Sequence, residues 1–134
     1  MKQLLSLYGL SALIMLAIDG VWIYLVANPL YKKTFGEALR ARPDGAAVVL
    51  AYACIVGAAL FLLYPVVRDM PTLRAQALYG FMFGFFLYGL YAFTSLGVFS
   101  VWDWKTAVLD ALWGGVLYGL MAMIMVWLAT KLSL

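Results

Sequence analysis

Four long apolar runs, at 4–27, 46–67, 75–99 and 106–130, are separated by shorter stretches in which charge and proline collect. About 20 apolar residues in helical conformation suffice to cross the hydrocarbon of a bilayer. The pattern therefore predicts an all-α fold: an integral membrane four-helix bundle, up-down-up-down, forming a single domain over 1–134. Lys2 followed by an apolar run resembles a signal peptide. That run is too long, carries Asp19, and is followed by no small-x-small cleavage site, so it is read as a span.

The connectors differ in length. The first, 28–45, reads "NPLYKKTFGEALRARPDG", with Pro29 near its start and Pro43-Asp44-Gly45 at its end. Phe35, Ala38 and Leu39 have helical spacing, which predicts a short amphipathic helix lying on the membrane interface. The third, "SVWDWK", brings Trp102 and Trp104 to head-group level, where indole rings tend to sit. Side A denotes the membrane face holding the ends of the chain, and side B the face holding the first and third connectors. Lys2, Arg68, Arg74 and Lys131 fall on side A, against Lys32, Lys33, Arg40, Arg42 and Lys105 on side B. So even a balance selects no orientation under the positive-inside rule.

Composition supports lipid as the main solvent. The chain of 134 residues is 67% hydrophobic and only 11% charged, where soluble proteins carry roughly 25% charged residues. Its mean hydropathy is +1.00. A soluble domain of this length could not bury so much apolar surface. With no histidine and Cys54 as the one cysteine, zinc, haem and iron–sulfur sites lack their usual ligands, so neither a metal nor a cofactor is expected. Histidine-based catalysis is excluded, and no basic run with interleaved aromatics points to nucleic acid. The excess of positive charge suits membrane lipid as a partner.

The chemistry lies in the polar residues inside the spans. Asp19 sits past the middle of the first helix, running from A to B. The fourth helix runs back from B and meets Asp110 after about one turn. Thr94 and Ser95 arrive at the same level on the third helix, and Tyr52 on the second. Each span thus sends a polar side chain to the B leaflet. Asp19 and Trp22, like Asp110 and Trp113, are three apart and share a helix face. Gly80, Gly84, Tyr88, Tyr91 and Ser95 form a stripe expected to face protein. Gly80/Gly84 and Gly115/Gly119 are G-x-x-x-G pairs, read as packing between the third and fourth helices.

An acid and tryptophan in the first helix, a basic connector, "YGLYAFTSLG" in the third helix and "VLDALWGGVL" in the fourth together resemble one family across essentially the whole chain. It is the family of small four-span bacterial membrane proteins known as domain of unknown function 2177. Asp19, Trp22, Tyr91, Thr94, Asp110, Trp113 and Gly114 match its pattern. In the family's Y-D-x-T-N element, Ala92 stands here in place of the acid and Ser95 in place of the asparagine. That departure argues against a mechanism needing three carboxylates. The resemblance implies a multi-pass protein of the bacterial inner membrane and lends no activity.

Three functions fit these residues. The first is binding or transport of a small solute or lipid-like molecule by Asp19, Asp110, Thr94, Ser95, Tyr91, Tyr52, Trp22 and Trp113. Lys32, Lys33, Arg40 and Arg42 would then form a rim for a head group. Four short helices enclose no pathway alone, so transport implies a homodimer. The second is an intramembrane enzyme acting on a lipid or isoprenoid, with the acids as acid and base. The third is an accessory or assembly subunit whose acids only lock helices together. The first leads, with Asp19 favoured over Asp110 because it lies deeper.

Overall fold

A computed structural model describes residues 2–133. It contains four helices long and apolar enough to cross a membrane: α1 (Lys2–Ala38), α2 (Gly45–Val67), α3 (Leu73–Val98) and α4 (Trp104–Lys131). No strand occurs among the described residues. The chain is an all-α membrane helical bundle.

Short side chains outside the hydrocarbon start three of the helices. Asp44, Thr72 and Asp103 each precede a helix and accept a hydrogen bond from the backbone N–H three residues on, at 3.1, 3.1 and 2.7 Å respectively. Each satisfies a donor that the first helical turn leaves free. At Asp103, the Thr106 N–H holds the carboxyl below its usual range.

The first helix does not end at Ala27, where the sequence reading places the end of the span. It continues as a π-helical stretch, Ile23–Ala27, then as α-helix over Asn28–Phe35 and a 3₁₀ turn over Gly36–Ala38. Proline inside a helix removes one N–H and clashes with the carbonyl four residues back. The wider π turn accommodates that clash, so Pro29 passes without breaking the helix. The same device recurs in α2, where π-helical Ala58–Leu63 precedes Pro65. Beside that stretch, the Tyr118 hydroxyl donates to the Ile55 carbonyl at 2.7 Å and ties α4 to α2.

The tightest pairing is α3 with α4, and glycine makes it. A Cβ at Gly84 would collide with the Gly114 carbonyl and stand 2.7 Å from Tyr118 Cβ. One at Gly80 would collide with the Tyr118 carbonyl and stand 2.8 Å from Ala122 Cβ. The G-x-x-x-G pairs therefore pack α3 on α4, as their spacing predicts. Gly114, outside those pairs, belongs to the same contact.

Packing is uneven along the bundle. The core comprises Leu7 and Met15 from α1, Leu60, Leu63 and Val67 from α2, and Leu117, Met121 and Met125 from α4. All of these lie in the middle and A-side part of the bundle. On side B, by contrast, no residue of Gly45–Gly57 is buried. The first half of α2 therefore splays from its neighbours and leaves space among the helices.

Two outcomes test this picture. Gly84→Ala overpacks the α3–α4 contact and should cost about 1–3 kcal/mol in detergent unfolding. Gly20→Ala, where an added Cβ meets nothing within 4 Å, should leave the melting temperature nearly unchanged. Because the folded-state pKa of Asp103 is depressed, its stabilising effect is present above its ordinary value and fades as pH falls through the lowered one. The melting difference between wild type and Asp103→Ala should therefore shrink below about pH 4.

Candidate functional site

The inward stripe of α1 is Leu7, Ser11, Met15 and Asp19, one residue in every four and all buried. Asp19 closes that stripe just before the π turn. Asp110 lies on the buried face of α4 with Thr106, Ala107 and Ala111. Both acids are almost fully buried, at 5% and 4% exposure. A carboxylate there has no bulk water to solvate it and needs donors from the protein.

Asp19 has two. Trp113 Nε1 donates to its Oδ1 at 2.8 Å, and the Tyr52 hydroxyl donates to its Oδ2 at 2.9 Å. One carboxylate thus joins α1, α2 and α4. The paired D-x-x-W segments meet crosswise: Asp19 takes the indole N–H of Trp113, and Trp22 stacks flat on that same indole, with centroids 4.4 Å apart and planes 2° from parallel.

Asp110 is held differently. The Tyr31 hydroxyl donates to its Oδ2 at 2.7 Å. One turn further, the hydroxyls of Thr34 and Thr106 lie 2.9 Å apart. No other group among the described residues bonds the Asp110 carboxylate. Tyr31 is the residue of the candidate site that the sequence reading missed, because it lies beyond Pro29. In an unbroken α-helix Tyr31 would stand about 120° around the axis from Asp19; absorbing one residue in the π turn brings it within about 20°. The distortion that admits Pro29 is thus what aims Tyr31 at the acids.

Both acids line one cavity of about 270 Å³. Its aromatic walls are Trp22, Trp113, Tyr31, Tyr52 and Tyr88; Ile23, Val48, Ala51 and Ile55 supply apolar surface. A second, apolar groove of about 480 Å³ runs between α2 and α3, and shares Ala51, Ile55 and Tyr88 with the cavity.

The residues read from sequence on α3 do not all join this site. Its inward positions include Gly80, Gly84, Ala92 and Ser95. Tyr88 reaches the cavity, whereas Tyr91 is 63% exposed, lines the outer groove and meets Trp102 edge-on at 5.5 Å. Thr94 lies on the outer face with Phe86 and Leu90. Ser95 is buried but bonds neither acid. The stripe therefore steps from Tyr88 to Ala92 rather than to Tyr91. Ala92 is completely buried.

No lysine or arginine lines the cavity. Lys32, Lys33, Arg40 and Arg42 are all exposed, and the ion pair found among the described residues, Arg68–Asp69, is far along the chain from both acids. Nor do three His, Cys, Asp or Glu side chains cluster as metal ligands among those residues. The site is two acids in a partly open cavity lined by aromatic and aliphatic side chains and Asn28, suited to holding donors, protons or a cation.

The hydrogen bonds are testable as stability terms. Tyr31→Phe leaves Asp110 without a donor, and Trp113→Phe removes one from Asp19. Each should cost about 1–3 kcal/mol, read as a lowered unfolding midpoint in detergent. Thr94→Val, on the outer face, should shift that midpoint little. Equal effects for all three would contradict this division of roles.

Comparison with known proteins adds membership rather than activity. No curated protein and no solved structure matches the chain. A family model described as "Predicted membrane protein (DUF2177)" matches residues 4–127. That span includes all four apolar helices almost entirely, both acids and both tryptophans that hold the site together. The chain belongs to this family of multi-pass membrane proteins.

Proposed function

We propose that the protein binds a small solute or lipid-like molecule in the B-side cavity of a bacterial inner membrane, with Asp110 as the acid that meets the ligand and Asp19 as the acid that shapes the site. The observation that carries this reading is the unequal satisfaction of the two carboxylates. Both oxygens of Asp19 receive a donor. Asp110, equally buried, receives among the described residues only the Tyr31 hydroxyl and lines the cavity. Keeping an incompletely paired acid in that setting is costly, and intramembrane acids of this kind commonly mark ligand or ion pathways. Depth alone favoured Asp19; hydrogen bonding favours Asp110.

The apolar core in the A half supports a cavity confined to one leaflet. Transport across the whole bilayer would call for a second copy to complete a path, whereas binding within the leaflet needs one chain. The exposed Lys32, Lys33, Arg40 and Arg42 suit contact with anionic lipid head groups at the rim.

Native mass spectrometry of protein extracted from its own membrane tests the reading. Wild type should retain a non-protein molecule, and Asp110→Asn should lose it by about tenfold or more. Asp19→Asn should mainly lower the melting temperature. An identical bound complement in wild type and Asp110→Asn would overturn the proposal and leave the acids as a lock between helices.

A further inference from the structure

Building on this binding site, we infer that its ligand is a cationic amphiphile, a molecule with an ammonium head and a single apolar chain. Its head occupies the cavity between Asp110 and the aromatic walls, and its chain lies in the groove between α2 and α3.

Three independent features of the molecule converge on that class. The first is missing counter-charge. Two acids are buried in one enclosure, and no basic side chain lines it. One oxygen of Asp110, a side chain more than nine-tenths buried, has no partner among the described residues. A cation would supply the charge that the protein withholds.

The second is the wall. Trp22, Trp113, Tyr31, Tyr52 and Tyr88 line the cavity together with the acids. Aromatic faces attract cations through the negative potential of their rings, most strongly in dry surroundings, and aromatic cages recognise ammonium groups on this basis. An anionic head would face the same acids and rings with the wrong sign of charge. A neutral alcohol could bond Asp110 but would draw little from the rings.

The third is the route. Lys32, Lys33, Arg40 and Arg42 stand exposed at the B end of α1 and in the connector beyond it, where they oppose entry of a free cation from water. The apolar groove bordered by Cys54, Leu87 and Tyr91 instead adjoins the cavity along Ala51, Ile55 and Tyr88. The first half of α2 is unburied there, so a molecule already dissolved in the membrane can approach sideways. A head that prefers the cavity and a chain that prefers lipid are both accommodated.

The test uses the full chain in lipid nanodiscs, with empty nanodiscs as blank, and calorimetric titration of four probes: dodecyltrimethylammonium, dodecanol, dodecanoate and tetramethylammonium. Dodecyltrimethylammonium should bind about tenfold or more tightly than each of the others. Asp110→Asn should weaken it by about the same factor. Should that variant fail to fold, Tyr88→Leu provides the reading instead, with a several-fold loss that exceeds the loss in Tyr88→Phe, which keeps the ring. Equal binding of dodecanol or dodecanoate overturns the cationic head; equal binding of tetramethylammonium overturns the chain in the groove. If no probe binds while an Asp110-dependent molecule still copurifies, the ligand class is wrong and the binding site stands. If neither is seen, both readings fall.

Discussion

The structure depends on one requirement: the carboxylate of Asp19, placed among hydrocarbon, must find its donors within the protein. It finds them on two different helices, in Trp113 and Tyr52. Those two bonds fix α1 against α4 and bring the loosely packed end of α2 towards both. In a lipid environment apolar packing gives helices little preference for one another over lipid tails, so hydrogen bonds and close backbone contact carry the specificity of association. The glycine contact between α3 and α4 supplies the second of these. The bundle is therefore a close-packed pair, α3–α4, with α1 attached through an acid and an indole stack, and α2 attached through tyrosine hydroxyls at Tyr52 and Tyr118.

This division explains why the cavity is where it is. Towards side A, leucine and methionine from three helices fill the interior. Towards side B the cavity is lined by an acid, Trp22 and Tyr31 on α1, an acid and Trp113 on α4, Tyr88 on α3, and Val48, Ala51, Tyr52 and Ile55 on α2. There the tyrosine and indole rings reach across to the acids, and no residue of Gly45–Gly57 is buried against its neighbours. Space remains, and it is bounded by the groups that bond the acids.

Much of this was legible in the chain. Four apolar runs give four helices, and counting helix direction puts Asp19 and Asp110 in one leaflet despite their separation. The spacing of Gly80 and Gly84 gives the α3–α4 contact. Two features were not legible. Pro29 carries an ordinary meaning as a helix stop, and nothing local in "IYLVANP" announces that a π turn will carry the helix past it; Tyr31 was hidden as a result. On α3, Tyr91 and Thr94 look as suitable as Tyr88 for an inward face, since adjacent positions differ by only one residue's rotation. The close approach at Gly84 decides the matter, because it fixes which way Tyr88 and Ala92 must point. Such contacts belong to the pair of helices and not to either sequence pattern alone.

The span between the partners of Asp19 also bears on how the protein is made. The acid lies in α1, and the indole that bonds it lies 94 residues later, in α4. Until the fourth helix arrives, α1 holds in the membrane a carboxylate with at most the Tyr52 hydroxyl for company, a burden of about 2.5–3.5 kcal/mol on the scale of helix insertion. Arrival of Trp113 with α4 relieves that burden. A helix made late is thus the one that makes an early helix comfortable in lipid.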